Sequence, residues 1–335
     1  MKRKMIVSLL LLTLLLSGCN AEETLNAVKE PLGNLFPKME KKIKIVDMNS
    51  KSRPYAVMIN NIKEARPLQS GLQDAYIIYE IIAEGGVTRL LALFHDTNTE
   101  RIGSVRSARH YFLDYSLEND AIYVHHGYSP QAQSDFYSLD LDRVEIMDPK
   151  TAWREREHGV ASEHTLFTSI EKIEKGLGKT RTERNNDFLL DYSINNIDLN
   201  KIAVAKIANK VEVEYSWSVK NLYEYDSETQ VYKRSVNGTP HKDFVTGKQY
   251  TFKNIIIVQI PNQTIDDKGR QDISNIGERD GYYITNGYAV PIKAVKDSRS
   301  SQTIYKHLNG EEIKVNDGNT FIQIQPVGKK LNIEE

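Results

Sequence analysis

Cysteine is almost missing from this chain: Cys19 is the single thiol in 335 residues, so no intramolecular disulfide can form. Zinc sites built on cysteine are excluded by the same count. A long hydrophobic run is missing too. The most apolar stretch, Met5 to Leu16, is broken by Ser8 and Thr13 and would rise only about 18 Å as a helix. That is short of a hydrocarbon core roughly 30 Å thick, which argues against a permanent membrane span. Neither charge sign dominates, since the formal net charge is −1, and nucleic acid is not expected as a partner. Nucleophile motifs are absent as well. There is no G-x-S-x-G elbow. Ser169-Ile170-Glu171-Lys172 fits S-x-x-K but lacks its S-D-N and K-T-G companions and falls inside a predicted amphipathic helix. No H-E-x-x-H is present, and Asp266-Asp267-Lys268-Gly269 lacks the calcium-loop pattern and reads as a turn.

What is present begins with the N-terminus. Lys2, Arg3 and Lys4 precede the apolar run, and no acidic residue occurs before Glu22. A basic segment followed by twelve apolar-rich residues is the layout of a secretory signal. The run ends in Leu16-Ser17-Gly18-Cys19, small residues directly before a cysteine, which is the lipobox pattern of bacterial lipoproteins. Residues 1–18 are therefore expected to be a signal peptide, cleaved to leave Cys19 as the first residue with a diacylglyceryl thioether. One acyl chain binds a membrane marginally, whereas two anchor stably at about 0.8 kcal/mol per buried CH₂. The expected location is the outer, extracytoplasmic face of the cell membrane. Lipidation would also consume the only thiol, which removes cysteine-nucleophile catalysis. Without its three basic residues the rest of the chain carries about −4.

Residues 19–52, rich in Lys, Glu and Asn and holding Pro31, Gly33 and Pro37, lack a sustained apolar period and read as a tether. A mixed α/β domain is expected over 53–200. It holds strands at 55–59 and 121–124, a hairpin around Glu84-Gly85-Gly86, and helices over 107–118, 129–139 and 163–177. A β-rich domain is expected over 201–330, from the alternation at Val211–Tyr215, the hairpin signal Asn237-Gly238, the run Ile255–Val258 and a last hairpin around Asn316-Asp317-Gly318. The fold class is thus α+β: a mixed α/β sandwich followed by an antiparallel β-rich domain.

Arginines mark the main candidate site. The segment 101–110 places Ser104, Arg106, Ser107 and Arg109 between a strand and a predicted helix start, with Arg89 on the neighbouring hairpin. Helix N-termini and bidentate guanidiniums both attract phosphate or carboxylate. The competing reading pairs these arginines with Glu80, Glu84, Asp114 or Glu118 as structural ion pairs. His125 and His126 follow a strand, where clefts are common, but adjacent strand residues face opposite ways. At most one of them faces a cleft. A metal site from His125, His158 or His164 has no ligand spacing behind it, and neither metal nor cofactor is expected.

Several separated segments resemble one family. Arg53–Asn60, Ala65-Arg66-Pro67, Gln69–Leu72, Glu84–Leu90 and Gly103–Arg109 are similar to the YerB-like lipoproteins, Gram-positive envelope proteins with a domain of unknown function. Tyr225-Asp226, Asn237-Gly238, Pro291-Ile292 and Gly318-Asn319-Thr320 extend the resemblance to about residues 50–328. The chain departs from it at Glu163-His164-Thr165 and at Ala294-Val295-Lys296. The resemblance implies a mixed α/β fold with a β-rich C-terminal part and no assigned activity. Function is expected to be non-catalytic binding or assembly, with a wall precursor or an envelope protein as partner. The alternative is a phosphoryl-handling enzyme acting on polyprenyl-pyrophosphate-linked glycans, in which Arg106 and Arg109 meet an acidic residue.

Overall fold

Short runs of β-branched and aromatic residues, punctuated by Gly, Asn and Asp, set most of the regular structure of the described residues as strand. A computed structural model describes residues 42–156 and 159–335. The expected signal peptide, Cys19 and the tether up to residue 41 lie outside the described residues, as does His158.

In the first half, β1 (Tyr55–Asn60) is an apolar run that buries five of its six residues. Strands β2 (Ile77–Ile82) and β3 (Thr88–Phe94) form the expected hairpin, and β3 also pairs antiparallel with β1. After β4 (Ile102–Gly103) comes α1 (His110–Glu118), then β5 (Ile122–His125), which lies parallel to β1. Helix α2 (Pro130–Ser138) starts as its sequence dictates: Pro130 opens it and the Ser129 hydroxyl accepts the Ala132 N–H. Strands β6 (Arg143–Glu145), β7 (Trp153–Arg154) and β8 (Leu166–Thr168), helix α3 (Ile170–Lys175) and β9 (Asp191–Ser193) complete this half.

The regular structure of the second half is almost all strand. It comprises β10 (Lys206–Ile207), β11 (Lys210–Ser216), β12 (Val219–Asp226), β13 (Val231–Val236), β14 (Thr239–Pro240) and β15 (Thr251–Phe252). There follow β16 (Asn254–Ile260), β17 (Asn262–Thr264), β18 (Gln271–Ile273), β19 (Gly277–Thr285) and β20 (Tyr288–Lys296). Last come β21 (Ile304–His307), β22 (Lys314–Asn316), β23 (Thr320–Pro326) and β24 (Leu331–Glu334). Asn237 and Gly238, at φ 51° and 75°, make the left-handed turn that their dipeptide signals.

Both halves contribute to one 11-stranded sheet, ordered β10-β20-β19-β16-β23-β2-β3-β1-β5-β6 with β21 beside β20. Strands β1, β2, β5, β6, β16 and β23 all run the same way, so their carboxyl ends share one edge. Glu80 and Gln323 point from one face into the six-stranded sheet formed by β11–β15 and β24, where they meet Asn221 and Arg234. From the opposite face Tyr79 meets α1, its hydroxyl donating to Glu118 at 2.7 Å.

Several expectations are corrected. The chain is mostly β, with α1–α3 of nine, nine and six residues, so it is not a mixed α/β sandwich. The expected tether loses its last ten residues to the fold. Val46 is buried, Ile43 and Ile45 pack on the core, and the Lys44 and Ile45 N–H groups donate to Asp317 at 2.9–3.0 Å. The helix read over 163–177 shrinks to α3, because Leu166 and Phe167 pair as strand with β4 and β7. Ser169 is the cap of α3, accepting the Lys172 N–H at 3.2 Å, which accounts for the S-x-x-K spacing. The last hairpin is not one: β22 pairs with β9, and β23 inserts parallel between β2 and β16.

Candidate functional site

Strand carboxyl ends leave backbone unpaired and loops free to gather side chains, which makes such an edge the usual place for a site in sheets of this kind. Here the loops after β1, β2 and β16 enclose a cleft of about 360 Å³. Asn60 and Ile62 line it from the end of β1, and Glu84 and Val87 from the β2–β3 connection. That connection turns tightly because Gly85 and Gly86 take φ of 65° and 76°. A Cβ on Gly86 would stand 3.2 Å from the Ser216 Cβ, so this loop seats directly on the tip of the β11–β12 hairpin.

Five cations face this cleft: Arg89, Arg106, Arg109, Lys268 and Arg270. One carboxylate, Glu84, stands among them. Arg109 donates through Nε to Glu84 Oε1, and Arg89 Nη2 lies 3.4 Å from Oε2. Arg89 also donates to the Ser107 carbonyl, and Arg109 Nη1 to that of Ala108 at 2.7 Å. Arg106 reaches Glu163 at 3.3 Å, and Arg270 reaches Asp266 at 2.8 Å. Burial, with the Arg109 and Arg106 charges nearby, pulls the Arg89 guanidinium down to about 10, only partly opposed by Glu84. Burial works to raise the Glu84 carboxyl, but Arg89 and Arg109 outweigh it and hold it below its ordinary value. Crowded like charges cost free energy, and a bound anion would relieve it.

The arginines arrive here by a different route from the one the sequence implies. Helix α1 begins at His110 rather than Ser107, because residues 104–108 form an extended strap across the ends of β1 and β5. The Arg106 N–H donates to the Met58 carbonyl at 2.9 Å, and its carbonyl accepts the His126 N–H. The Val105 N–H goes to Leu166 and the Ala108 N–H to Gly127, so these three amides of the strap hold the fold together. Ser104 is fully buried with its hydroxyl unpartnered, and neither it nor Ser107 lines the cleft. Of the proposed ion-pair partners, only Glu84 meets these arginines. Glu80 pairs with Arg234, Asp114 with Arg299 and Glu118 with Lys296.

Neither candidate histidine lines this cleft. His125 is fully buried, stacked on Phe136 with centroids 5.0 Å apart, its Nδ1–H donated to the Gly127 carbonyl at 2.9 Å. His126 Nδ1 meets the Ile146 carbonyl at 2.7 Å, and Arg154 lies 3.2 Å from its Nε2. His164 contacts Asn60 at 3.0 Å behind the cleft. Among the described residues no three His, Cys, Asp or Glu side chains gather as a metal site. Lys268 and Arg270 escaped sequence reasoning. Their segment carries only a turn signal, and what brings them to Arg89, about 180 residues earlier in the chain, is the parallel insertion of β23 between β2 and β16.

Comparison with known proteins matches this architecture. Residues 43–183 match the N-terminal domain, and residues 211–322 the C-terminal domain, of a protein family of unknown function, DUF3048. A relative from Bacillus subtilis (strain 168), named "Putative lipoprotein YerB", is 34% identical over 305 residues, 88% of this chain and 83% of its own. The crystal structure of the YerB protein from Bacillus subtilis superposes with a TM-score of 0.72 at 30% identity, covering 84% of this chain and 94% of that one. Three of the segments that carry the sequence resemblance, those holding Asn60, Arg89 and Arg109, converge on the cleft. The chain belongs to the YerB-like family defined by the two DUF3048 domains.

Proposed function

We propose that this protein is a lipoprotein of the cell envelope, anchored through Cys19 on the extracytoplasmic face, that binds an anionic envelope component in the Arg89–Arg109 cleft. The observation that carries the binding role is charge: five cations line the cleft, three carboxylates (Glu84, Glu163 and Asp266) pair with four of them, and Lys268 has no ion-pair partner among the described residues. The lipobox at Leu16–Cys19 supports the anchor, and so does the name of the Bacillus subtilis relative. The ligand class is a phosphate- or pyrophosphate-bearing group, because guanidiniums bind its oxygens in bidentate pairs. Catalysis is not part of the reading, since Glu84, the carboxylate at the centre, is already held by two arginines.

Calorimetric titration of the full chain with inorganic pyrophosphate tests the site. Binding is expected, and Arg106→Gln is expected to weaken it by at least roughly tenfold, the loss of one charge-assisted contact. No binding, or equal binding by the variant, refutes the site. Steady phosphate release with Mg²⁺ present would replace the binding role with phosphoryl chemistry. For the anchor, Cys19→Ser is expected to move the protein out of the membrane fraction of expressing cells. A variant still acylated and sedimenting with membranes would refute it.

A further inference from the structure

Three loop tips gather around the glycine turn at the mouth of the cleft. A Cβ on Gly269, next to Lys268, would stand 3.6 Å from the Gly85 nitrogen, so the β17–β18 loop rests on one side of that turn. On the other side the Ser216 hydroxyl, at the tip of the β11–β12 hairpin, donates to the Gly86 carbonyl at 2.6 Å. The turn after β23 joins them. Strands β2 and β23 pair in parallel as far as Ile81 and Ile324, so both end at this edge, and the Glu214 N–H ties the turn to the hairpin by donating to the Lys330 carbonyl at 3.0 Å.

These tips carry side chains that the fold does not use. Trp217 occupies the short connection between β11 and β12, a place that usually goes to Gly, Asn, Asp or Ser, and it is 86% exposed. Val327, in the turn tied to that hairpin, is 57% exposed, and neither residue belongs to the core. Lys268, Lys329 and Lys330 are exposed beside them and have no ion-pair partner among the described residues. Of the carboxylates in these loops, Glu214 pairs with Lys220 and Asp266 with Arg270, which leaves only Asp267 against the three lysines. An exposed indole, an aliphatic side chain and free ammonium groups next to a cationic cleft match a membrane–water interface. Indole rings settle at headgroup level there, and each lysine near an anionic leaflet adds attraction. A protein interface matches less well, because lysine is depleted in it and its apolar groups form one packed centre instead of standing singly on loop tips.

Building on the anion-binding reading of the cleft, we propose that these tips dock on an anionic phospholipid surface, with Trp217 and Val327 at headgroup depth and a headgroup phosphate in the cleft. The full chain, held in phosphatidylcholine nanodiscs, is mixed with vesicles of phosphatidylcholine alone or with an equal amount of phosphatidylglycerol, their acyl chains brominated. Binding to the phosphatidylglycerol vesicles is expected to be at least roughly tenfold tighter than to the others. Bromine is expected to quench tryptophan emission in the wild type and not in Trp217→Phe. Trp217→Ser is expected to weaken vesicle binding about fivefold or more, and Lys329→Gln/Lys330→Gln about tenfold or more, while Trp217→Ser leaves the affinity for inorganic pyrophosphate within about twofold. Equal binding to the two kinds of vesicle, binding without quenching, or unchanged vesicle binding in either variant would overturn the lipid surface and leave the pyrophosphate cleft standing. Pyrophosphate binding with no vesicle binding would do the same, and would assign the Trp217 tip to a protein partner. If phosphatidylglycerol vesicles bind through Trp217 and pyrophosphate does not bind, the cleft reading falls and the docking of the tips stands.

Discussion

Replacing Arg234 with methionine is expected to destabilise the fold by about 3–5 kcal/mol, the usual cost of stranding one partner of a buried ion pair. Arg234 and Glu80 are both fully buried and 2.9 Å apart. Around them every polar atom has a role. Glu80 Oε1 accepts from Asn61 and Thr88, and Oε2 from Arg234, Asn221 and Gln323. Arg234 donates to Asn221 at 2.9 Å and to His241 Nδ1, so the histidine carries its proton on Nε2 and passes a hydrogen bond to Gln69. Gln69 in turn donates to the Asn60 carbonyl, at the wall of the cleft. Removing the guanidinium leaves the Glu80 charge in a low-dielectric core, where no water can replace it. Thermal unfolding should drop on the order of 10 °C, given the shift per kcal/mol usual for chains of this size. Glu80→Gln is expected in the same range. The double variant should cost less than the sum, because each single change breaks the same network. A loss below about 1 kcal/mol for Arg234→Met would mean the pair does not hold the two sheets together.

The second large effect is on acid stability. Burial pulls the His125 imidazole down to about 4, helped by the Arg143 and His126 charges and opposed by the Gly127 carbonyl. The cause is visible in the packing: Nε2 is buried without a partner, against the Phe136 ring. A proton there would place a bare cation among aromatics. In the unfolded chain the same imidazole titrates near 6.5. Below pH 6.5 the unfolded state therefore takes up a proton that the native state refuses, and stability falls with pH until about 4. This one group should remove about 3 kcal/mol between pH 7.5 and 4.0. His241, held well below its ordinary value by burial and by Arg234 and Arg66, adds to the same slope. The comparison that isolates His125 is His125→Asn, whose amide can still donate to Gly127. Urea unfolding at the two pH values should show a slope about 3 kcal/mol smaller in the variant. Equal slopes would place the protonation elsewhere.

Much of the local structure was legible in the chain. The β2–β3 hairpin followed from two apolar runs around Gly-Gly, the start of α2 from Ser129-Pro130, and the I′-type turn from Asn237-Gly238. Each depends on neighbours only a few residues apart. Failures came where distant pairing overrode the local pattern. Leu166 and Phe167 sit at helical spacing from Ile170 and Ile173, yet β4 and β7 supply strand partners and the helix forms only after the Ser169 cap. Val315 and Phe321 flank a turn-like Asn-Asp-Gly, yet the strands on either side join different sheets.

By itself, the sequence determined what depends on composition and near neighbours: the lone cysteine behind an apolar run, the exclusion of disulfides and thiol chemistry, most strand positions, and the arginines at 89, 106 and 109. Tertiary structure decided how those arginines are used. It turned residues 104–108 into a strap instead of a helix start, gave Glu84 alone to Arg89 and Arg109, and sent Glu80 to Arg234. It also buried His125, packed residues 43–46 onto the core and carried Lys268 and Arg270 across to the cleft. The physical reason is the same in each case. A side chain's charge and size belong to the residue, but its partner is set by which strands lie side by side, and parallel pairing across more than 200 residues leaves no local trace.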